Sequence, residues 1–224
     1  KELYVVSTPA AVTVDGGAID RSFNGSNGIR NGRNHVAEAK GRDFGVTGRL
    51  QYTGVPGLRL GTSAFIGNTG HGTDAVGGAL LTMLEADAKY SIEGIELEGA
   101  LAFTNLSNAR ELNTYLVSLD PAFSNFAARQ MLGWYIEGAY HLFHHIMPNT
   151  KHDLVAFARY EDFNTQFKMP TGFASNPAND RNTMTVGLSY MPLPQVAIKT
   201  DYMFNWNAAN AGVDQFNMGI GFYY

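Results

Sequence analysis

Cysteine is absent from the 224-residue sequence, which excludes disulfide frameworks, thiolate metal centres and cysteine nucleophiles. Charged residues make up only 16% of the chain and the net charge is −4, so we do not expect a nucleic-acid-binding protein with a basic surface. Long apolar runs are also absent, and no stretch approaches the roughly 18–20 residues of a transmembrane helix. The lack of long apolar runs does not exclude a transmembrane β-barrel, because the alternating strands of a barrel give a weak hydropathy signal.

What the sequence does contain is typical of an all-β protein with many short turns. Aromatic residues reach 12%, and glycine occurs 25 times. The length fits a single domain over residues 1–224. The chain begins Lys1-Glu2-Leu3 without an initiator methionine or a signal peptide, so either a leader has been removed or the sequence begins inside a longer protein.

Alternation of apolar and polar residues predicts about ten strands. The last strand is the clearest, because Phe216, Met218, Ile220 and Phe222 share one face while small or polar residues occupy the other. Most of the strands have the roughly 10-residue length that crosses a bilayer when tilted. The predicted strands cover residues 3–7, 44–52, 58–66, 80–90, 95–103, 132–140, 154–161, 183–190, 196–206 and 216–224.

The links between these strands alternate in length. Short links, which contain proline or glycine, lie at residues 54–57, 93–94 and 192–194. Long polar links lie at residues 9–42, 68–78, 106–128 and 168–181. Glu93-Gly94 is predicted to be a two-residue hairpin turn. The rhythm predicts turns at one end of the sheet and long loops at the other, as in outer-membrane barrels.

The strands of a soluble β-sandwich or a lipocalin also alternate between apolar and polar residues, and their apolar face forms the core. Alternation by itself therefore does not distinguish a soluble β-fold from a membrane barrel. Three features favour the membrane barrel: the rhythm of the links, an aromatic residue closing the last strand, and aromatic residues near strand ends, as in interfacial girdles. The girdle candidates are Tyr52, Tyr90, Tyr140, Tyr160, Tyr190, Trp206 and Tyr224. The expected fold is a transmembrane antiparallel up-and-down β-barrel.

A set of short segments occurs in a fixed order from about Phe44 onward. They are GRLQY (48–52), VPGLRLG (55–61), GWYIEGAY (133–140), ARYEDFNTQ (158–166), NDR (179–181), VGLSY (186–190) and GIGFYY (219–224). The ordered set resembles the carboxy-terminal half of Gram-negative porins of the phosphate-selective porin O and P type, although no single segment is diagnostic.

The resemblance implies a sixteen-stranded homotrimeric pore in the bacterial outer membrane, in contact with lipid and lipopolysaccharide, with long outer loops and an inward-folded loop that narrows the channel. This chain supplies only about ten strands. Either strands that precede it are missing, or it closes as a smaller barrel. In that family, anion specificity is associated with basic residues of the pore wall, many of them from the part absent here, so the resemblance does not extend to phosphate selectivity.

If the apolar face meets lipid, the charged face lines the lumen. The pore-lining candidates are Arg49, Arg59, Glu85, Asp87, Lys89, Glu96, Glu98, Glu137, Arg159, Glu161, Lys199 and Asp201. Polar lumen walls let hydrated solutes pass, and their charges bias which ions enter. Because both signs are mixed, the set predicts a transverse field or ion pairing across strands rather than a filter of one sign.

The first long link is rich in basic residues, which are Arg21, Arg30, Arg33, Lys40 and Arg42. These side chains either gather anions at a pore mouth by electrostatic focusing or form an ordinary solvated loop. Residues 107–119 have a capping start and apolar residues at helical spacing. A helix there would plug or narrow the lumen, form an external lid, or contact another subunit.

Four histidines, His141, His144, His145 and His152, cluster around one link. Imidazole is a common metal ligand, but these residues have no fixed carboxylate partner in the sequence pattern, so no metal site is assigned. No catalytic motif is recognised, and we assign neither a catalytic residue nor a cofactor. The expected function is passive diffusion of ions and small hydrophilic solutes, with phosphate among the candidate anions. The alternatives are a barrel that holds a partner protein and an outer-membrane hydrolase.

Overall fold

The structure, a computed structural model, describes residues 2–15, 18–33 and 41–222, and of Arg21 it describes the backbone alone. Within these ranges the chain is all-β with two short α-helices. The elements in chain order are β1 (Glu2–Ser7), β2 (Val12–Asp15), β3 (Ala18–Ser22), β4 (Phe44–Val55), β5 (Leu58–Asn68), β6 (Leu80–Ile92), β7 (Ile95–Leu106), α1 (Ala109–Leu119), β8 (Gln130–His141), α2 (Leu142–Ile146), β9 (Asp153–Lys168), β10 (Asp180–Leu193), β11 (Val196–Asn207) and β12 (Gln215–Phe222).

Ten of the strands form one antiparallel sheet in the order β1-β4-β5-β6-β7-β8-β9-β10-β11-β12, while β2 and β3 form a separate hairpin. Strands that follow one another along the chain are therefore neighbours in the sheet, as expected for an up-and-down arrangement. The prediction of about ten sheet strands is confirmed. Among the described residues, β1 pairs only with β4 and β12 only with β11, so no closed barrel is formed.

Local turn chemistry explains the tight hairpins. Val55 pairs with Leu58 across Pro56-Gly57, where proline fixes one φ angle and Gly57 takes a positive φ of 78°. Ile92 pairs with Ile95, as predicted, and both turn residues Glu93 and Gly94 have positive φ. That pair of conformations matches the right-handed twist of the flanking strands.

The third short link differs slightly from its prediction. The strand β10 continues through Leu193, so the turn lies at Pro194 and Gln195 rather than at residues 192–194. The register shifts between Tyr190 and Leu193, which accommodates Pro192 within an irregular strand end.

Five of the longer links lie at one end of the sheet, called the loop end here, and the three tight turns lie at the other, the turn end. The loop end carries the described parts of residues 8–43 together with residues 69–79, 107–129, 169–179 and 208–214. The link between β8 and β9 lies at the turn end and holds α2, so it is longer than the other turns. The first long link also contains the β2–β3 hairpin, which the sequence analysis did not predict.

The two faces of the sheet differ in chemistry as predicted. The polar face carries Arg49, Glu85, Lys89 and the residues in register with them, and the apolar face carries the intervening Leu, Ile, Val and aromatic side chains. The apolar face is solvent-exposed: Ile136 retains 57% and Leu101 47% of its accessible surface. No described helix is long and apolar enough to span a membrane.

The buried apolar core lies at the loop end and on the polar side of the sheet. The cluster joins α1 and the β2–β3 hairpin region to the ends of β6 and β7, and its members include Val12, Phe23, Val76, Leu81, Leu106, Leu112 and Leu116. Leu81 and Leu106 face each other on the polar side of the sheet. The loops therefore fold inward over that side and bury their apolar residues there.

Candidate functional site

All twelve predicted pore-lining residues lie on the polar face. The cross-strand register shows this, because directly opposed residues of neighbouring strands point to the same side of a sheet. Arg49 is opposite Ser63, which is opposite Glu85; Lys89 is opposite Glu98, and Glu98 is opposite Glu137. The remaining candidates follow at alternate positions along the same strands.

Arg49 holds together the first charged group of the wall. One guanidinium nitrogen donates to Ser63 Oγ at 2.9 Å and to Glu85 Oε2 at 3.2 Å, and the other donates to Asp87 Oδ2 at 2.6 Å. The two carboxylates belong to β6 and the arginine to β4, so the contact bridges across β5. Gly61 leaves room for this contact. At this position the Cβ atom of any other residue would collide with Arg49 and Asp87.

Lys89 lies nearer the turn end and is also placed between two carboxylates. Its Nζ donates to Glu96 Oε2 at 2.8 Å and lies 3.8 Å from Glu98 Oε2. Ser91 Oγ donates to the other oxygen of Glu96 at 3.2 Å. Arg59 lies directly opposite Lys89 on the same face, and Arg59 has no ion pair among the described residues.

Arg159 forms the third group, on β9. Its guanidinium donates to Glu161 Oε1 at 3.0 Å, lies 3.9 Å from Glu137 Oε2 and stacks on the Tyr135 ring at 3.8 Å from the centroid. Three cations of the described wall are thus each placed between two carboxylates. Lys199 completes the set with Asp201 at 3.9 Å. Apart from Arg59, the basic residues of the described wall are compensated by carboxylates, and the wall is not a band of one sign.

Aromatic side chains on the polar face lie over glycines. Phe157 is directly opposite Gly187, and Phe163 is directly opposite Gly133. A Cβ atom at either glycine would lie less than 3 Å from the opposing phenylalanine. The Phe157 ring lies against the wall where Gly187 leaves room, which explains why Phe157 interrupts the otherwise polar alternation of β9.

The first long link crosses the loop end of the polar face. Gly25 donates its backbone N–H to Asn125 O at 3.2 Å and accepts a hydrogen bond from the Thr165 hydroxyl, and Ser26 N donates to Asn125 Oδ1 at 2.9 Å. Thr165 lies on β9, six strands along the sheet from β1, from which this link emerges. The link therefore straps one side of the sheet to the other, which requires the sheet to be curved.

Gln166 locks a second pair of loops onto the same end. It is 4% exposed, donates to Phe126 O at 2.7 Å, and accepts from Asn176 N at 2.7 Å and from Asn179 Nδ2 at 2.9 Å. Arg181 then donates to Asn179 Oδ1 at 3.1 Å. The sequence did not predict this network, because single Asn and Gln residues carry no pattern that shows which of them become buried.

The predicted pore-mouth residues are dispersed. Arg30 and Arg33 are exposed at a short 3₁₀ turn, and Arg42 lies with Nη1 3.5 Å from His71 O. The Arg21 side chain and the whole of Lys40 lie outside the described residues. The described members therefore do not converge on one anion-binding position.

The helix predicted within residues 107–119 is present as α1, and it buries Leu112 and Leu116 in the loop-end core. The cap differs from the prediction: Asn108 occupies the N-cap position in the left-handed conformation, and Ser107 Oγ instead accepts from Leu80 N at 2.7 Å. The α1 side chains pack on the polar side of the sheet, which favours a plug over an external lid.

Three of the four histidines, His141, His144 and His152, line a cavity of about 550 Å³ at the turn end, and His145 lies outside its lining. His141 bonds to Asp153, so the expectation that these histidines have no carboxylate partner is wrong for His141. His145 bonds to the Tyr140 hydroxyl at 2.8 Å, and His152 to the Tyr190 hydroxyl at 2.7 Å. Among the described residues, no three His, Asp or Glu side chains converge in an arrangement that could hold a metal ion.

The candidate girdle is formed at the turn end. Tyr52, Tyr90, Tyr140 and Tyr190 lie near the turn ends of their strands and on the apolar face. Trp206 lies near the loop end, and Tyr224 is outside the described residues. The prediction for Tyr160 is wrong, because this residue lies in the middle of β9, between Trp134 and Trp206, with ring centroids 5.5 and 6.2 Å away.

No family model matches the chain. Over 188 residues the chain is 25% identical to an uncharacterized protein of Aquifex aeolicus (strain VF5), an alignment that covers 83% of this chain and 42% of that protein. The chain thus spans less than half the length of this relative. Among solved structures, it is similar to a chain described under "Unveiling the Mechanism Behind the in-meso Crystallization of Membrane Proteins", with 12% identity, a TM-score of 0.30, and coverage of 81% of this chain and 77% of that one.

Proposed function

We propose that this chain forms part of the wall of an outer-membrane β-barrel pore. Ions and small hydrophilic solutes diffuse passively through this pore, as in the phosphate-selective porin O and P type that the sequence resembles. The observation that carries the proposal is the distribution of apolar surface over the ten-stranded sheet. Large apolar side chains are exposed on the apolar face of every strand from β4 to β12 except β9, whereas the charged face is the one that the loops fold over.

A soluble protein would not leave such a face in water. Transfer of one exposed Leu, Ile or Phe side chain out of water is worth about 1.5–3 kcal/mol, and the exposed face carries more than a dozen of them. Monomeric soluble proteins rarely expose apolar patches of this extent. A bilayer covers the face without any further protein, and backbone groups within the sheet are satisfied by the strand ladders.

The tyrosines at the turn end support the same placement. Aromatic side chains with a polar tip concentrate where the hydrocarbon core meets the headgroups. Tyr52, Tyr90, Tyr140 and Tyr190 mark such a level on the apolar face, and hydroxyls of Tyr140 and Tyr190 reach histidines of the turn-end link. The turn end would then lie on the periplasmic side and the loop end outside, as in bacterial barrels.

The polar face would line the lumen and keep it hydrated. Because Arg49, Lys89 and Arg159 are each compensated by two carboxylates, the described wall has no uninterrupted path of positive charge that would select phosphate. We therefore propose a general diffusion pore with weak ion preference. Lipid, lipopolysaccharide and a homotrimeric assembly belong to the same proposal.

Single-channel conductance of the full-length protein in a planar bilayer, with a salt gradient across it, tests this function. Stable open steps with a small reversal potential are the expected result. A protein that is folded and inserted but carries no current would overturn the pore and would favour a barrel that holds a partner protein. Steps with a large anion-selective potential would instead contradict the weak preference that we derive from the compensated wall.

A further inference from the structure

Three aromatic side chains form a row on the polar face, among the charged residues of the wall. Tyr135 of β8 lies directly opposite Glu161 of β9. Phe157 and Phe163 lie at alternate positions with Glu161 along β9, so all three rings point to the polar side. Each of the three residues is partly exposed. This aromatic row follows β9 for about 20 Å, the length of the six residues from Phe157 to Phe163.

Each ring of the aromatic row has a cation beside it. The pairs, each with the distance from the cation to the ring centroid, are Arg159 and Tyr135 at 3.8 Å, Lys199 and Phe157 at 4.3 Å, and Arg181 and Phe163 at 5.7 Å. Carboxylates lie close to two of these cations, since Arg159 donates to Glu161 at 3.0 Å and Lys199 lies 3.9 Å from Asp201. Apolar rings therefore lie beside hydrogen-bond donors and acceptors along the wall.

Protection of the backbone explains only part of the aromatic row. The two phenylalanines lie over glycines of neighbouring strands. Tyr135 lies opposite Ala100 on one side and Glu161 on the other, so it shields no glycine. In a hydrated lumen, the exposed part of each ring is left in water unless a solute covers it, and covering apolar surface is favourable. The row thus offers binding surface to a solute that passes along β9.

The chemistry of the aromatic row fits an uncharged sugar. A pyranose ring has a face of C–H groups and a rim of hydroxyls, and each hydroxyl both donates and accepts hydrogen bonds. Its C–H face packs against an aromatic ring while carboxylates accept from the hydroxyls and cations donate to them, a combination of apolar and polar contacts typical of small-molecule sites. Because Arg159 and Lys199 are compensated by carboxylates, these charges give no strong preference for an ion.

We propose that the aromatic row is a binding path for sugars, along which oligosaccharides of pyranose units pass through the lumen. The proposal rests on the proposed pore and names the class of hydrophilic solute that the pore recognises. The rings of Tyr135, Phe157 and Phe163 pack against the sugar rings, while Glu161 and Asp201 accept hydrogen bonds from hydroxyls. Because the row is longer than one pyranose, an oligosaccharide binds more tightly than a monosaccharide.

Single-channel current of the full-length protein, recorded while a solute is added, tests this path. The probe is maltotriose, and polyethylene glycol of the same mass is the control because it is hydrophilic but has no ring face. We expect maltotriose to block the current saturably and at lower concentration than glucose, whereas polyethylene glycol lowers the current only in proportion to the bulk conductivity. If maltotriose acts only as polyethylene glycol does, the proposal is wrong.

Substitutions at two positions show whether the rings bind the sugar. Phe157→Leu removes a ring but keeps an apolar side chain over the glycine opposite, and Tyr135→Leu removes a ring that shields none. We expect the half-blocking concentration of maltotriose to rise about three- to tenfold in either variant, the scale of one aromatic contact. It should stay unchanged in Phe157→Tyr, which keeps the ring, and in Phe204→Leu, on the exposed apolar face. An equal block in all four variants would overturn the proposal.

A binding measurement that needs no current separates the sugar path from the pore. Saturation-transfer nuclear magnetic resonance of maltotriose, with the protein in detergent micelles, detects contact with the sugar directly. Open channels without such contact refute the sugar path and leave the pore intact. A protein that carries no current, but contacts maltotriose and loses the contact in Phe157→Leu, refutes the pore and supports the binding surface.

Discussion

Arg49 is held by three side chains from two neighbouring strands, and this makes it the best-bonded cation of the polar face. Ser63, Glu85 and Asp87 all accept hydrogen bonds from its guanidinium. Glu85 and Asp87 are two positions apart on one strand, so their carboxylates point to the same side. Without the arginine, two like charges would be left side by side on a wall that is only partly hydrated.

We expect Arg49→Met to lower stability and Arg59→Met to leave it unchanged or raise it. Both variants remove one positive charge from the polar face, but Arg59 lies opposite Lys89 and has no ion pair among the described residues. Loss of Arg59 therefore relieves repulsion, since like charges directly opposite on a sheet are unfavourable. The urea midpoint of the protein in lipid vesicles, followed by tryptophan fluorescence, measures the difference. An equal decrease of the urea midpoint in both variants would refute a structural role for the hydrogen bonds of Arg49.

The face of each charged residue was predictable from the sequence, but its partner was not. Alternation along each strand places Arg49 and Glu85 opposite the apolar residues of their own strands, and therefore on the same side of the sheet. The contact between Arg49 and Asp87 depends on the registers of two successive strand pairs, which bring together residues 38 positions apart. Register follows from turn positions and bulges, and a bulge near Tyr52 shifts one of these pairs.

Gln166 is the residue on which the loop-end hydrogen bonds depend most. The variant Gln166→Leu keeps much of the volume but leaves Asn176 N, Asn179 Nδ2 and Phe126 O without this partner. Each buried polar group left unpaired costs about 1–3 kcal/mol. We expect faster proteolysis within residues 169–179, measured by mass spectrometry, and an unchanged β-sheet signal by circular dichroism. The variant Gln215→Leu, at an exposed position, is the control. Equally fast proteolysis of both variants within residues 169–179 would refute the role of Gln166 in holding these loops.

At the scale of elements, α1 joins the loops to the sheet. Leu116 is fully buried in the loop-end core, whereas Leu119 at the end of the same helix is 38% exposed. Truncation of a buried leucine removes packing and leaves a cavity, at a cost of about 2–5 kcal/mol. The helix therefore depends on its tertiary contacts, since eleven residues are too few for a stable isolated helix.

We expect Leu116→Ala to loosen α1 from the polar side, while Leu119→Ala changes little. If α1 narrows the lumen, channels of Leu116→Ala should show higher or noisier conductance than those of the wild type. Single-channel recording of both variants at one salt concentration provides the comparison. Conductance that stays the same in Leu116→Ala, together with increased proteolysis of α1, would show that the helix lies away from the path of the ions.

Elements with local signals were predicted, and elements that need distant contacts were not. Pro56-Gly57 and Glu93-Gly94 specify their turns through their own backbone preferences. The spacing of Leu112 and Leu116 predicted a helix, but nothing in that spacing showed which surface it covers. The β2–β3 hairpin was missed although Val12 and Val14 alternate before a glycine pair, because strands of four and five residues are too short to stand out within a long link.

At the scale of the whole molecule, the sheet reverses the usual arrangement of a soluble protein. Its large apolar face is exposed, and its buried core is small and confined to the loop end. Under the proposed function, the low-polarity interior of a bilayer covers this exposed face. The strap from Gly25 to Thr165 supports the same view, because it bends the sheet so that the polar face becomes the concave one.

This arrangement predicts opposite responses to arginine at two adjacent positions of β7. Leu101 is on the apolar face near the middle of the strand, and Ala102 is on the polar face opposite Glu85. In a bilayer, Leu101→Arg should cost about 2–4 kcal/mol, the penalty for arginine at the midplane of a barrel. Ala102→Arg should be tolerated, since a carboxylate faces it. Urea titration of folding into lipid vesicles measures both. If Leu101→Arg folds as well as Ala102→Arg, the apolar face does not meet lipid, and the membrane assignment fails with it.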